Sequence, residues 1–176
     1  MRGRVLLVDD EPLLVATLGR VLSATGFDVD TALSGEAALD LMDRREYDVV
    51  VTDLRMEGED GFVVLHEARS RDPDVCVVVI TGHSNEEMGL EALRQGADDY
   101  LFKPFQPDEL VFRVSRHAET RDLRRKVRRY ERLLGICPGC GRFRWTPGPH
   151  GGGWVEVQEQ PGLPEGGGLC PRCKGA

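Results

Sequence analysis

Asp9, Asp10, Asp53, Thr81 and Lys103 are the residues of this chain best placed to do chemistry, because each closes or follows an apolar run that reads as a β-strand. Residues 4–8 lead into Asp9-Asp10, 48–52 into Asp53, 75–80 into Thr81-Gly82, and 99–102 into Lys103-Pro104. In an open parallel sheet, the carboxyl ends of the strands are where ligand chemistry is placed. Brought to one rim, these ends would set three carboxylates against one ammonium. Two carboxylates about 4 Å apart repel by roughly 4 kcal/mol at an effective dielectric near 20, so a purely structural role would not keep three together. A hard divalent cation removes the conflict. Mg²⁺ fits, since it takes one or two carboxylates, keeps several waters and leaves positions for phosphate oxygens. Lys103 and Thr81 then offer a positive charge and a hydroxyl donor to a phosphoryl group, the positioning and charge neutralisation that phosphoryl transfer needs.

The elements that must position these groups are legible from periodicity. Strand-like runs occur at residues 4–8, 27–31, 48–52, 75–80 and 99–102, and the uninterrupted Val49-Val50-Val51 reads as a strand buried on both faces. Between the runs, apolar residues recur at helical spacing, as in Leu14, Leu18, Val21, Leu22 and in Ala37, Ala38, Leu41, Met42. Gly26, Gly61 and Gly96 punctuate the pattern, and Ser84-Asn85-Glu86-Glu87 has the form of a helix capping box. Pro107-Asp108-Glu109 opens a long C-terminal helix with a proline and two acids. Five β-α units with short connections predict an α/β fold: a doubly wound, five-stranded parallel sheet with helices on both faces. In the order 2-1-3-4-5 the four informative strand ends are neighbours, and the bland second one, Ala32-Leu33-Ser34, lies at an edge.

Asp9-Asp10, Asp53, Thr81-Gly82, Tyr100 and Lys103-Pro104, with Gly61 after the third strand, resemble the receiver domain of bacterial two-component response regulators. The resemblance covers about residues 3–119. It implies that Asp53 is the nucleophile taking a phosphoryl group from the phosphohistidine of a sensor histidine kinase. It also implies Mg²⁺ held by Asp10, Asp53 and the backbone carbonyl of Arg55, with Asp9 acting through water. Lys103 would contact the acyl phosphate, Thr81 would move toward it, Tyr100 would turn inward as a switch aromatic, and the Lys103-Pro104 bond would be cis. Glu57 stands where the family usually has proline. A phosphoacceptor of this kind is not a turnover enzyme. A phosphatase of the haloacid dehalogenase type also starts from a strand-end aspartate with Mg²⁺, but it needs a D-x-D arrangement, and here Leu54-Arg55 follow Asp53. The remaining candidates take plainer readings: Cys76 as a small buried hydrophobe, and His66 and His117 as helix residues without a partner pattern.

Charge divides the chain. Residues 1–119 carry 12 Lys+Arg against 25 Asp+Glu, and residues 120–176 carry 11 against 5. The acidic first part is unsuited to neutralising a nucleic-acid backbone, whereas the basic second part leaves that open. Thr120, Leu123, Val127, Tyr130 and Leu134 recur at steps of three and four, flanked by Arg121, Arg124, Arg125, Lys126, Arg128, Arg129 and Arg132. Residues 120–135 therefore read as a basic linker helix with a short coiled coil that pairs two chains as a homodimer. The competing reading is a DNA-binding regulator that uses residues 121–132, although no helix-turn-helix pattern follows the receiver-like part.

Residues 136–176 hold Cys137-Pro138-Gly139-Cys140 and Cys170-Pro171-Arg172-Cys173, separated by 29 residues. Two C-x-x-C pairs can complete a tetrahedral S₄ site, for Zn²⁺ in the first place and iron as the alternative. With so few apolar residues around it, such a metal would supply much of this segment's folding energy. The segment resembles zinc ribbons and, with Trp154-Val155, a cysteine-bearing tail appended to some bacterial receiver and sensory proteins. Paired C-x-x-C motifs suit a reducing compartment. With no apolar run long enough for a signal peptide or a membrane span, the expectation is a cytoplasmic protein without membrane contact.

Overall fold

The computed structural model describes residues 3–56, 61–82, 86–133, 143–145 and 153–155. The elements run β1 (Arg4–Val8), α1 (Pro12–Ala24), β2 (Asp28–Ala32), α2 (Gly35–Arg44), β3 (Val49–Asp53) and α3 (Gly61–Arg71). They continue through β4 (Cys76–Gly82), α4 (Glu86–Arg94), β5 (Asp99–Lys103) and α5 (Pro107–Leu133). All neighbouring strands of the main sheet pair in parallel, in the order β2-β1-β3-β4-β5. This is the expected arrangement, with small adjustments: β2 sits one residue later than the run expected at 27–31. β3, β4 and β5 extend one or two residues further than the apolar runs, so that Asp53, Thr81 and Lys103 lie inside the strands. The ladder pairs Asp53 with Ile80, Thr81 with Phe102 and Gly82 with Lys103. The backbone of each chemical group is thus fixed by its neighbour, and only side chains remain to adjust.

Every residue of β3 is buried, and alternation along the central strands feeds two cores, one on each face of the sheet. On one face Val5, Leu7, Val49, Val51, Val78 and Ile80 meet Leu18 and Leu22 of α1 and Leu110 and Val114 of α5. On the other, Leu6, Val8, Val50, Val77 and Val79 meet Ala38 of α2, Val64 and Leu65 of α3, and Ala92 of α4. The helix ends follow local chemistry. Ser34 Oγ accepts the Ala37 N–H at the start of α2 (3.2 Å). Gly26 and Gly96, at φ +97° and +103°, follow α1 and α4 in the left-handed conformation that side chains disfavour. Cys76 is fully buried, as expected of a small hydrophobe.

The chain divides into two compact units, Met1–Asp122 and Leu123–Ala176, and α5 runs from the first into the second. In the second unit, β6 (Phe143–Trp145) and β7 (Gly153–Val155) pair antiparallel, with Arg144 opposite Trp154. Glu57, the Ser84-Asn85 start of the expected capping box, and Cys137, Cys140, Cys170 and Cys173 lie outside the described residues. Among the described residues, no helix is long and apolar enough to cross a membrane.

Arg121 and His117 correct the sequence reading. Arg121, expected among the solvent-facing cations of a nucleic-acid surface, has only 1 % of its side chain exposed and pairs with Asp48 and Asp72. Its charge is spent on the receiver-like unit itself and is not available to a phosphate backbone. His117 does have a partner: its Nε2 lies 3.2 Å from Asp99 Oδ2, and Arg113 donates to Asp99 Oδ1 at 2.6 Å. Burial alone would raise the Asp99 carboxyl, but the bonds from His117 and Arg113 outweigh it and hold Asp99 below the usual carboxylate range.

Candidate functional site

Three strand ends and one loop converge at the carboxyl rim of the sheet. Strands lie about 4.8 Å apart, so β5 stands roughly 10 Å from β3 across β4, and only a long side chain can bridge them. Lys103 does so. Its Nζ donates to Asp53 Oδ2 at 2.6 Å and to Asp9 Oδ2 at 2.7 Å. β4, in between, ends in the small pair Thr81-Gly82, and nothing lies within 4 Å of where a Gly82 Cβ would be. The second oxygen of each carboxylate is also tied down. Asp53 Oδ1 accepts the Arg55 N–H and Asp9 Oδ1 accepts the Glu11 N–H, both at 2.9 Å. Asp9 is fully buried and Asp53 nearly so.

Burial pushes the Asp9 carboxyl above its ordinary range, with the bonds from Lys103 and from the Glu11 N–H offsetting part of the rise. On Lys103 the balance runs the other way. Burial pulls its ammonium down, but the bonds to Asp53, Asp9 and Glu11 prevail and hold it well above the ordinary lysine range. Lys103 is therefore a fixed positive charge at any physiological pH.

Gly61, the first residue of α3, is required here by close approach rather than by conformation. A Cβ built on it would sit 2.0 Å from the backbone oxygen of Asp53, so any side chain would displace either the helix or the end of β3.

Thr81 is fully buried and its Oγ1 has no hydrogen-bond partner. An orphaned buried hydroxyl costs about 1–3 kcal/mol, and at the carboxyl end of β4 it stands ready to donate to an anion. Behind it, Gly89 of α4 packs against both Thr81 and Tyr100. A Cβ at Gly89 would lie 3.3 Å from the Tyr100 ring and 3.7 Å from Thr81 Cγ2. Tyr100 also meets Phe102 edge to face, with ring centroids 5.0 Å apart. The Thr81 methyl and the aromatic ring therefore share one glycine-lined contact on α4.

The sequence-predicted set divides as follows. Asp9, Asp53 and Lys103 are bonded together, and Thr81 lies one strand from Asp53 with Tyr100 nearby. Asp10 is half-buried two residues past the end of β1, and Arg55 is tied to Asp53 through its N–H. Sequence reading missed Glu11, whose Oε1 accepts a third bond from Lys103 Nζ at 2.9 Å. Among the described residues, no three His, Cys, Asp or Glu side chains group closely enough to hold a metal ion by themselves. Mg²⁺ does not require such a group, because one or two carboxylates suffice when waters and phosphate oxygens complete its shell. Asp10, Asp53 and the Arg55 carbonyl would be a donor set of that kind, and the Thr81 hydroxyl, buried without a partner, is a donor that a phosphoryl oxygen could accept.

Comparison with known proteins agrees with this geometry. A model of the response regulator receiver domain matches residues 5–115. The alginate biosynthesis transcriptional regulatory protein AlgB of Pseudomonas syringae is 37% identical over 130 residues, covering 74% of this chain and 29% of that protein. The DNA-binding transcriptional regulator NtrC of Klebsiella pneumoniae is 38% identical over 115 residues, 65% of this chain and 24% of its own length. The chain thus spans less than a third of the length of these curated relatives. Among solved structures, the receiver domain of NtrX from Brucella abortus superposes with a TM-score of 0.63 at 35% identity, covering 66% of this chain and 98% of that one. The Francisella response regulator 1452 receiver domain gives 0.62 at 32%, covering 67% and 98%. With a buried, lysine-bridged aspartate pair at the sheet rim and the family's domain over residues 5–115, the chain belongs to the response regulator receiver family.

Proposed function

We propose that this protein is a two-component response regulator that accepts a phosphoryl group on Asp53 from the phosphohistidine of a sensor histidine kinase. The observation that carries this reading is the Lys103 bridge, 2.6 Å from Asp53 and 2.7 Å from Asp9, beside the unpartnered Thr81 hydroxyl. A carboxylate oxygen of Asp53 attacks phosphorus, the P–N bond to the donor imidazole breaks, and its electron pair stays on the imidazole nitrogen, which takes up a proton. Lys103 holds Asp53 in place and neutralises charge on the transferring group. Thr81 donates its hydroxyl to a phosphoryl oxygen. Mg²⁺, held by Asp10, Asp53 and the Arg55 carbonyl with Asp9 acting through water, would neutralise further phosphoryl charge when bound. The protein is a stoichiometric phosphoacceptor in this reading, not a turnover enzyme.

The consequence is a population shift. Once Thr81 is drawn to the phosphoryl group, its contact across Gly89 with Tyr100 changes, and the balance between two arrangements of α4 and β5 moves with it. The expected result with a small phosphodonor such as acetyl phosphate and Mg²⁺ is one added phosphoryl mass on the wild type and none on Asp53→Asn, read by intact mass spectrometry. Equal labelling of both would rule the assignment out.

Output runs, in the same proposal, through protein contacts of the extended α5 and the four-cysteine tail. Leu123 and Val127, two members of the predicted homodimer seam, are more than half exposed. Cys137, Cys140, Cys170 and Cys173 would bind one Zn²⁺ in a closed S₄ site, which leaves no position for a substrate and makes the metal structural. Purified protein should contain about one zinc per chain on elemental analysis, with Cys137→Ser losing it. A metal-free wild type would refute this, and iron in zinc's place would change the metal but not the site.

A DNA-binding output is the second reading. It draws on the relatives named as transcriptional regulators and on the exposed Arg124, Arg125 and Lys126 of α5. Salt-dependent binding to duplex DNA would favour it.

A further inference from the structure

The geometry points to Glu11 as an exchangeable carboxylate that occupies the third donor of Lys103 and surrenders it to the incoming phosphoryl group. Glu11 would thereby set the rate at which Asp53 is modified. This inference rests on the phosphoacceptor reading and adds to it a residue that Asp9, Asp10, Asp53, Thr81 and Lys103 leave out.

An ammonium has three N–H donors, and among the described residues Lys103 directs them to three carboxylates: Asp53 Oδ2 at 2.6 Å, Asp9 Oδ2 at 2.7 Å and Glu11 Oε1 at 2.9 Å. A phosphoryl oxygen that is to contact Lys103 must displace one of them. Asp9 and Asp53 are poor candidates. Their side chains are 0 % and 9 % exposed, and each has its other oxygen fixed by a backbone N–H. Turning either away would strand a buried charge. Glu11 differs in every respect. Its side chain is 62 % exposed, its bond to Lys103 is the longest of the three, and water can solvate it as soon as it lets go.

The backbone of Glu11 does not have to move. Its N–H stays on Asp9 Oδ1, and its carbonyl accepts the Val15 N–H at 3.0 Å as α1 begins. Pro12 follows, which limits the residue's backbone freedom further. The side chain can therefore swing while the N–H continues to hold Asp9. In place, the Glu11 carboxylate does two things to an anionic phosphodonor: it blocks one Lys103 donor and adds a negative charge at the mouth of the site. Both slow capture. After transfer it competes with the acyl phosphate for the same donor, which weakens the hold on the product.

The test is the rate of Asp53 phosphorylation by acetyl phosphate with saturating Mg²⁺, measured for wild type, Glu11→Gln and Glu11→Lys. Exposed ion pairs contribute little, and their loss changes rates by a few-fold. Glu11→Gln is expected to phosphorylate about three- to fivefold faster than wild type at low ionic strength, mainly through a lower half-saturating phosphodonor concentration, and Glu11→Lys faster still. The advantage should shrink as salt is raised, because the group is exposed. A structural role would leave both the salt dependence and the rank order unmoved. Wild type labelled at Asp53 with all three rates equal, or the charge-reversed variant slower, overturns the assignment of Glu11 while leaving the phosphoacceptor reading standing. A wild type that is not labelled overturns both.

Discussion

Replacing Lys103 by methionine should destabilise the fold by about 3 kcal/mol at pH 7, the lower end of what breaking a buried ion pair costs. Much of that loss should disappear as the pH is lowered. Methionine keeps an unbranched stem as far as Cε and lacks only the ammonium, so packing changes little and the effect isolates charge. Without the ammonium, Asp9 and Asp53 face each other at the rim with no counter-ion of their own. Asp9 already titrates above its ordinary range with Lys103 present; without Lys103 it is pushed higher. The sign follows. A carboxyl whose folded-state pKa lies above its unfolded value destabilises the native state once it ionises, and this cost fades as pH falls through the folded-state pKa toward the unfolded value of about 3.9. Lys103, raised in the folded state, stays charged throughout this window, so the pH dependence comes from its carboxylate partners: as they take up protons, the bridge weakens in the wild type and the repulsion fades in the variant. Urea unfolding of wild type and Lys103→Met between pH 7 and about pH 4 should show the two curves converging toward acid. Parallel curves would mean that the bridge carries no charge interaction.

The second large effect lies at the opposite end of the sheet. Arg121→Ala should cost about 3–5 kcal/mol, because two losses coincide. Among the described residues Arg121 is the largest fully buried side chain, so its truncation leaves a cavity under α5. It also pairs with Asp48 before β3 and Asp72 after α3, and those two acids would be left facing each other. Asp48 still accepts the Arg4 N–H at 2.7 Å and Asp72 the Asp74 N–H at 2.9 Å, which makes the loss partial. Arg121→Met restores most of the volume without the charge and should recover a measurable part of the stability. Thermal or urea unfolding of the two variants separates packing from pairing. If Arg121→Ala unfolds at the wild-type midpoint, the side chain is not buried as described.

Arg121 also shows where sequence reading stops. Along residues 121–132 it is one of seven cations, and nothing in composition or spacing separates the one that turns inward from those that face water. What decides it is the placement of Asp48 and Asp72, brought to α5 by the sheet and by α3. His117 is a similar case. Its partner, Asp99, is distant in sequence and meets it only because α5 packs beside β5. Glu11 was overlooked for a different reason. Asp9-Asp10 already accounted for the acidic chemistry of that loop, and a third acid beside Pro12 reads as the start of a helix.

By contrast, the site itself was legible because it is built from strand ends. Each apolar run announced its strand, and the residue type at its end announced the chemistry. The sheet order then brought Asp9, Asp53 and Lys103 to one rim. The boundaries erred by one residue at β2 and by a residue or two at β3, β4 and β5, where the ladder continues past the last apolar side chain. The glycines at 61 and 89 have a role that sequence could not assign: at Gly61 a helix approaches Asp53 too closely for a side chain, and at Gly89 a side chain would crowd the Tyr100 ring.

The central claim is that Asp53, and no other carboxylate at this rim, forms the acyl phosphate. The most direct measurement is to treat the wild-type protein with acetyl phosphate and Mg²⁺, trap the acyl phosphate by borohydride reduction, and map the modified residue by peptide mass spectrometry. Reduction is expected at Asp53 alone. Reduction at Asp9, Asp10 or Glu11, or no trapped residue in a folded protein, would contradict the account.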